Sequence, residues 1–258
     1  MQVQHEQSQD EVIQALQRQV NELTANNLLL EEELAQKERF TAMIAHELRG
    51  PLSPIINYAQ MIARPAQRPE VVERGTKVII GQATRLVRLV DDLLDAAHLS
   101  SGQFTLRREW CDMVELARET IEHARPLAPY HSLVLETSDT AVMGYWDNGR
   151  LQQALGNLLD NAIKYSDERS TITIKVSKEP DVVCVSVHNV GITIPSTEVS
   201  TLFRPFVRLQ ATRGDRQGSG LGLYITKSII EAHDGTLRLD PPTIEGQGTT
   251  FSFDLPLH

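Results

Sequence analysis

A histidine inside a helical stretch is the first residue whose type and neighbours could support nucleophilic chemistry. His46 lies in FTAMIAHELRGP, residues 40–51, directly before Glu47. A neutral imidazole is a competent nucleophile near pH 7, and an adjacent carboxylate can hold the proton of the other ring nitrogen. A lone helical histidine is usually only a solvated side chain, so Glu47, Arg49 and the nearby Pro51 are what favour a functional role.

Two asparagines form a second candidate group. Asn157 and Asn161 lie four residues apart in a predicted helix at 147–165 and therefore share one face. Amide oxygens on one face can help to hold a hard cation. Lys164 adds a charge suited to phosphates, and Tyr165 adds a flat ring suited to a base. Two solvated helix amides would give the same pattern.

Glycines provide the third kind of candidate site. Gly218-Ser-Gly-Leu-Gly-Leu223 opens a predicted helix, where glycines let the backbone approach phosphates and the helix N-terminus offers free N–H groups. Gly191 follows a strand pattern that ends in Asn189, and Gly246-Gln-Gly248 precedes the last strand. Each segment alone is common in turns, but their order and spacing together are specific.

The elements that must position these residues begin with a heptad repeat. Residues 10–39 contain no Gly or Pro, and apolar side chains alternate at spacings of three and four. β-Branched residues at position a, Leu at d and a single Asn27 at a favour two parallel strands. We predict a parallel coiled-coil homodimer; an amphipathic helix packed on its own chain is the alternative. The apolar positions are Ile13, Leu16, Val20, Leu23, Leu30 and Leu34.

The heptad frame continues through the histidine segment. One long helix is predicted from about residue 10 to the mid-sixties, with a kink at Pro51 and Pro54. A turn at 64–70 and a second amphipathic helix follow, and that helix ends at Ser100-Ser101-Gly102. Two such hairpins, one from each chain, would form a four-helix bundle.

From about residue 104 the pattern changes to short alternating strands and helices. Their order predicts an α/β two-layer sandwich with mostly antiparallel strands, so the fold class of the whole chain is α+β. The predicted strands are 104–110, 131–137, 142–146, 171–177, 182–189, 236–240 and 249–256. The predicted helices are 113–124, 147–165, 196–203 and 221–233.

Bulk properties exclude several classes of protein. The 258 residues carry a net charge of −9, which disfavours a nucleic-acid or anionic-membrane binder. The two cysteines lie far apart and match neither a zinc site nor a disulfide framework. We find no run of about 18 apolar residues and no signal peptide. We therefore expect a cytoplasmic protein, or the soluble part of a longer membrane-anchored chain.

Five segments of the chain, four of them described above, occur in the order found in sensor histidine kinases, and the chain resembles their transmitter core over residues 35–258. The resemblance implies a coiled-coil signalling helix at 1–38, a dimerisation and phosphotransfer hairpin at 39–103, and a Bergerat-type ATP-binding domain at 104–258 with a lid near 209–218. The matching segments are His46-Glu-Leu-Arg-Gly-Pro, Asn157-Leu-Leu-Asp-Asn-Ala-Ile-Lys-Tyr-Ser, Asn189-Val-Gly191, Phe203-Arg-Pro-Phe-Val-Arg208 and Gly218-Ser-Gly-Leu-Gly-Leu223.

The resemblance also implies a reaction and its partners. His46 would accept the γ-phosphoryl group of ATP, with Glu47 as acid and base beside it. The phosphoryl group would then pass to an aspartate of a response regulator, and an upstream sensor would supply the signal. Asn161 would hold Mg²⁺, and Asn157 would lie close to the ion and the phosphates.

The remaining implied roles concern ATP. Lys164 would contact phosphate, Tyr165 would line the adenine pocket, and Arg208 would pair with phosphate as the lid closes. Asn189 and Gly191 would form the pocket floor. The backbone around the phosphates would come from Gly218, Gly220, Leu221, Gly222 and Leu223.

The chain departs from the family pattern at the first glycine box. Asn189 stands where the family normally has Asp, and Thr193 replaces a glycine. An amide oxygen can still accept a hydrogen bond from the adenine amino group, but the charge assistance is lost, at a cost of roughly 1 kcal/mol or more. We predict weakened ATP affinity. Donation from the amide to O6 of guanine would be a different outcome.

The chain also departs from the family pattern at Gly50. Gly50 stands where many relatives carry Thr or Asn to position water, which predicts weak phosphatase activity towards the regulator.

The main rival function is a degenerate kinase that has lost ATP and docks a regulator as a dimeric scaffold; Asn189 favours it, whereas His46 and Asn161 do not. Another ATPase with the Bergerat fold would leave the His46 segment unexplained.

Overall fold

The computed structural model describes residues 2–64, 68–100, 105–207, 220–241 and 248–257. The chain forms two compact units, Met1–Leu86 and Val87–His258. Among the described residues, no helix combines the length and apolar character that a bilayer span requires. The helices of at least one full turn in this part of the chain are α1 (Gln2–Ile62), α2 (Pro69–Ser100), α3 (Met113–Ala124), α4 (Asn148–Tyr165), α5 (Val199–Leu202) and α6 (Gly222–Ala232).

The first unit consists of α1 and the amino-terminal half of α2. Helix α1 begins about eight residues before its predicted start, because residues 2–9 contain no Gly or Pro. Pro51 and Pro54 both lie inside it. A Cβ added at Gly75 in α2 would lie 2.8 Å from Cδ1 of Ile62, so the two helices pack closely there.

Most side chains of the first unit are accessible to solvent. Among those described in residues 17–86, only Pro51 and Gly75 are buried. Several heptad side chains are more than half exposed, and they belong to Val20, Leu23, Leu30 and Leu34. These positions form the apolar stripe that the heptad pattern predicts.

The second unit contains a five-stranded sheet of order β2-β4-β5-β7-β6 and a separate β1–β3 pair. Strands β2 and β4 are parallel, and the other neighbours are antiparallel. The predicted α+β class, with helices followed by an α/β sandwich, is confirmed. The strands are β1 (Glu109–Asp112), β2 (Ser132–Thr137), β3 (Met143–Trp146), β4 (Thr171–Lys178), β5 (Val182–Asn189), β6 (Thr236–Leu239) and β7 (Thr249–Pro256).

The first predicted strand, at 104–110, is wrong in its bounds. Among the described residues, strand β1 pairs only with the four residues of β3, and the ladder begins at Glu109. At its other end, the Asp112 carboxylate accepts hydrogen bonds from the backbone N–H groups of Val114, at 3.0 Å, and Val142, at 2.8 Å. The same carboxylate caps α3, and the strand therefore ends where the helix begins.

The core of the second unit lies between the sheet and α3, α4 and α6. Helices α3, α4 and α6 each contact the sheet. Alternate residues of β5, among them Val183, Val185 and Val187, are buried against this helical layer. Trp146 is also buried, and its indole N–H donates to the Pro256 carbonyl at 2.7 Å. The result is a two-layer sandwich.

Polar contacts fix the start of α4. The Asp147 carboxylate accepts from the N–H of Arg150 at 3.1 Å and from the N–H of Arg107 at 2.8 Å. Within the same unit, Asp95 of α2 accepts from Arg150 Nη1 at 2.7 Å and from Gln153 Nε2 at 2.6 Å. These contacts position the helix that carries both asparagines.

Candidate functional site

The half-buried amides of α4 lie beside its apolar stripe. Leu151, Leu155, Leu158 and Leu159 are all buried, which sets the rotation of the helix. Asn157 and Asn161 are half-buried and lie one helical turn apart. Two amide groups therefore lie at the edge of the core.

Asn157 connects α4 to the second glycine segment. Its Nδ2 donates to the carbonyl of Gly222 at 3.3 Å, and helices α4 and α6 pack against each other. Leu221 is fully buried, whereas Gly222 and Leu223 are half-buried. The structure thus brings together Asn157 and the start of α6, as the sequence predicts for a phosphate site.

The carboxyl end of α4 contacts the first glycine segment. The N–H of Asp167 donates to the Val190 carbonyl at 2.9 Å, and Ser166 forms a β-bridge with Gly191. A Cβ at Gly191 would overlap the carbonyl oxygen of Tyr165, so only glycine allows this approach. The segment after Asn189 is therefore held against the end of the asparagine helix.

A cation and an aromatic ring lie together at this end of α4. The Nζ atom of Lys164 lies 5.1 Å from the centroid of the Tyr165 ring, and both side chains are half-buried. Such a pair provides positive charge and a flat apolar surface side by side. This combination suits a nucleotide, which has both phosphates and a base.

Asn189 is the most buried of the predicted site residues whose side chains act. It ends β5 on the helix-covered face and is 4% exposed. Its Nδ2 has no hydrogen-bond partner among the described residues. A buried amide left unpaired costs roughly 1–3 kcal/mol, so a ligand with a polar edge fits this position better than an apolar core contact does.

The phenylalanine-containing segment contacts the second glycine segment through backbone. The N–H of Phe206 donates to the Gly220 carbonyl at 2.9 Å. Gly220 has a φ of +71°, and a Cβ there would lie 2.9 Å from Cα of Phe206. Both the conformation and the space therefore require glycine. The predicted Arg208 and Gly218, and the predicted lid, lie outside the described residues.

His46 and Glu47 belong to α1 of the first unit. His46 is exposed and Glu47 is half-buried, so the imidazole is accessible to a reactant. At Gly50, one turn later, an added Cβ would meet no atom within 4 Å. Glycine is therefore not required there by packing.

One hydrogen bond and one backbone conformation that support the site were not predicted from the sequence. The Thr249 hydroxyl donates to the Ile192 carbonyl at 2.7 Å and holds the chain just after the first glycine segment. Phe206 adopts a φ of +62° where it meets Gly220. The glycines at 246 and 248 gave a weak signal for the first contact, and no local pattern indicated the second.

Two families match the chain. The one described as "His Kinase A (phospho-acceptor) domain" matches residues 36–102, which contain His46. The one described as "Histidine kinase-, DNA gyrase B-, and HSP90-like ATPase" matches residues 146–258, which contain both asparagines of α4 and all the glycine segments. The two matches follow each other in the order of the helical hairpin and the sandwich.

Individual relatives agree with these matches. The sensor histidine kinase WalK of Bacillus subtilis is 33% identical over 232 residues, which cover 88% of this chain and 38% of WalK. The solved histidine kinase AdeS of Acinetobacter baumannii has a TM-score of 0.67 at 25% identity, over 83% of this chain and 98% of AdeS. The histidine kinase ThkA, solved in complex with the response regulator protein TrrA, has a TM-score of 0.69 at 26% identity, over 88% of this chain and 64% of that one. The chain thus spans less than half the length of WalK.

Proposed function

This chain belongs to the sensor histidine kinases, and on that basis we propose that it transfers the γ-phosphoryl group of ATP to its own His46 and then to an aspartate of a response regulator. The observation that carries the nucleotide part is the convergence of both glycine segments on α4. One contact joins Asn157 to Gly222, and another joins Tyr165 to Gly191. We also propose domain boundaries at 1–38, 39–103 and 104–258.

The first reaction step would form a nitrogen–phosphorus bond. One ring nitrogen of His46 attacks the γ-phosphorus, the bond from that phosphorus to the bridging oxygen breaks, and ADP leaves with the electron pair. The proton on the other ring nitrogen passes to the Glu47 carboxylate, which adjoins it in sequence. The exposed position of His46 on α1 supports this role, because an acceptor must reach both ATP and a regulator.

The residues of the second unit would bind and orient the nucleotide. Asn161 would hold Mg²⁺, which neutralises charge on the phosphates when bound. Asn157 and the backbone at Gly220, Leu221, Gly222 and Leu223 would contact the phosphates, together with Gly218 and Arg208. Lys164 adds charge nearby, while Tyr165, Gly191 and Asn189 line the base pocket. Positioning and charge neutralisation are the main requirements of phosphoryl transfer, and this set of groups provides both.

The second step would need a regulator, and the protein as a whole would be a homodimer. ThkA was solved with the response regulator TrrA, which supports a partner of that class here. In the regulator step, an aspartate oxygen attacks the phosphorus and the bond to the His46 ring nitrogen breaks. The electron pair stays on that nitrogen, and the other ring nitrogen takes back a proton, so that neutral imidazole is restored. The exposed Val20, Leu23, Leu30 and Leu34 support a coiled-coil dimer, because such a stripe is normally buried by a second helix.

A second candidate function rests on Asn189. Without the carboxylate of its relatives, the pocket could have lost ATP, and the chain would then act as a dimeric scaffold that docks a regulator. The half-buried Asn157, Asn161 and Lys164, retained around the pocket, favour the kinase over this scaffold.

A labelling experiment separates the two candidates. The intact protein is incubated with γ-labelled ATP and Mg²⁺, and the label on the protein is tested in acid and in alkali. We expect acid-labile, alkali-stable label that Asn161→Ala reduces by at least about a hundredfold, whereas the matched change Glu168→Ala, on the exposed surface, leaves it unchanged. Absence of label at millimolar ATP would favour the scaffold.

A further inference from the structure

We propose that Asn189 makes the base pocket accept 6-oxopurine nucleotides, such as inosine and guanosine triphosphates, alongside ATP. This inference rests on the proposed function, because it concerns the same nucleotide pocket. It assigns Asn189 as the residue that determines which purine is bound, through the free donor on its amide.

The observation behind this inference is the unpaired amide nitrogen. Asn189 is 4% exposed, and its Nδ2 has no partner among the described residues. In this part of the chain only one other buried side-chain nitrogen or oxygen, Nδ1 of His131, has no hydrogen-bond partner. Buried donors without partners are rare in folded proteins, so this one indicates a ligand that brings an acceptor.

The backbone around Asn189 is held in place, so the amide itself must adapt. Asn189 pairs with Ile172 on one side and with Thr249 on the other. Just beyond it, Gly191 is packed against the Tyr165 carbonyl, and the Thr249 hydroxyl binds the Ile192 carbonyl. Rotation of the terminal amide exchanges its oxygen and nitrogen with little change in shape.

The two purine classes differ at the edge that this amide would meet. Adenine presents a donor at its 6-amino group and an acceptor at N1, whereas a 6-oxopurine presents an acceptor at O6 and a donor at N1. An asparagine has one acceptor and one donor, so it can pair with either edge after a half-turn of the amide. An aspartate has acceptors only and cannot donate to O6. Asn189 therefore complements both purines, where the carboxylate of the relatives would favour adenine.

The test compares wild type with Asn189→Asp, which keeps the shape and removes the donor. Each intact protein is titrated with ATP and with inosine triphosphate in Mg²⁺ by calorimetry, and the two Kd values are divided. Inosine triphosphate is the cleaner probe because it lacks the 2-amino group of guanine. We expect the two nucleotides to bind wild type within about tenfold of each other, and the variant to shift the ratio towards ATP by about ten- to a hundredfold.

The outcomes distinguish this inference from the proposed function. A ratio that stays within twofold in Asn189→Asp, or ATP binding to wild type with no binding of inosine triphosphate, overturns the purine assignment alone. Failure of wild type to bind either nucleotide overturns both. Thermal stabilisation of wild type by each nucleotide gives the same ratio without any variant, since stabilisation grows with ligand concentration over Kd.

Discussion

The two compact units of this protein bury their apolar side chains very differently. In residues 17–86 the described side chains include only two buried residues, Pro51 and Gly75. Every buried apolar side chain of the described part beyond residue 86 helps to form a core, with Trp146 and Phe253 among the largest. The second unit thus completes its own core, whereas the apolar stripe of α1 is exposed and would be covered by a second helix in the dimer proposed above.

In the kinase function proposed above, this difference separates dimerisation through the first unit from nucleotide binding by the second. If the stripe is covered only in the proposed dimer, the stability of the first unit depends on protein concentration. A self-contained core makes the second unit independent of it. Both tryptophans, Trp110 and Trp146, lie in the second unit, so tryptophan fluorescence follows its unfolding while helix circular dichroism is dominated by α1 and α2.

Replacing heptad leucines should weaken dimerisation through the first unit without changing the stability of the second unit. In the double variant Leu23→Ser, Leu30→Ser, a dimer loses four leucines, each worth roughly 1.5 kcal/mol or more when buried. We expect dimerisation at least about a thousandfold weaker by analytical ultracentrifugation, with tryptophan fluorescence unfolding unchanged. The matched control is Arg18→Ser, Glu22→Ser, which alters exposed positions off the stripe and leaves the net charge unchanged. Equal dimerisation of both variants would contradict the coiled-coil proposal.

Acid should weaken the second unit through His233. This side chain is fully buried; its Nδ1 donates to the Ile229 carbonyl at 2.8 Å, and its Nε2 accepts from the N–H of Asp147 at 2.9 Å. The imidazole must therefore be neutral. Burial lowers the pKa of His233, as does the Arg108 guanidinium, while the Ile229 carbonyl, Asp147 and Asp234 oppose them.

The sign of the pH effect follows from that lowered pKa. Above the ordinary histidine pKa of about 6.5, His233 is neutral in both the folded and the unfolded chain, and its contribution to the free energy of unfolding is fully present. As the pH falls below 6.5, the unfolded chain binds it first, and the free energy of unfolding falls by up to about 1.4 kcal/mol per pH unit. Urea unfolding followed by tryptophan fluorescence between pH 7.5 and 5.5 measures this slope. His233→Gln should remove this contribution to the slope, and the exposed His123→Gln should keep it; equal slopes in both would contradict the assignment.

Adding a side chain at Gly50, in the first unit, should increase the phosphatase activity of the protein towards a phospho-regulator. The position is one turn after His46, and an added Cβ meets nothing within 4 Å. We expect Gly50→Thr to raise the rate at which the protein dephosphorylates a phospho-regulator by about tenfold, the value of one hydrogen bond to a positioned water. Gly81→Thr in α2, where the structure also leaves open space, is the matched control. High phosphatase activity in wild type would contradict the prediction.

Local signals account for the elements that were predicted correctly. Helix α3 has the predicted bounds because Asp112 caps it and its apolar residues recur with helical spacing. Strand β5 likewise alternates from Val182 to Asn189 as its sequence pattern indicates. The assignment of Asn157 and Gly191 to one site came from the family resemblance and stays a prediction; the structure shows Gly191 packed against the end of α4, the helix that carries Asn157.

Contacts between distant residues explain what was missed. Strand β1 is short because β3, its only partner in the part of the chain that the structure describes, is short and lies more than thirty residues away. The contacts of Asp95 with Arg150 and of Phe206 with Gly220 join residues with no shared local pattern. The unpaired nitrogen of Asn189 could also not be predicted, since it depends on what surrounds the side chain.

The most direct test of the account is to locate the phosphate on the protein. The intact chain is incubated with ATP and MgCl₂, kept at neutral to alkaline pH, and analysed by mass spectrometry of the whole chain and of its peptides. We expect one phosphate, on the imidazole of His46, and none in His46→Gln under the same conditions. A phosphate on any other residue, or persistent phosphorylation of His46→Gln, would contradict it.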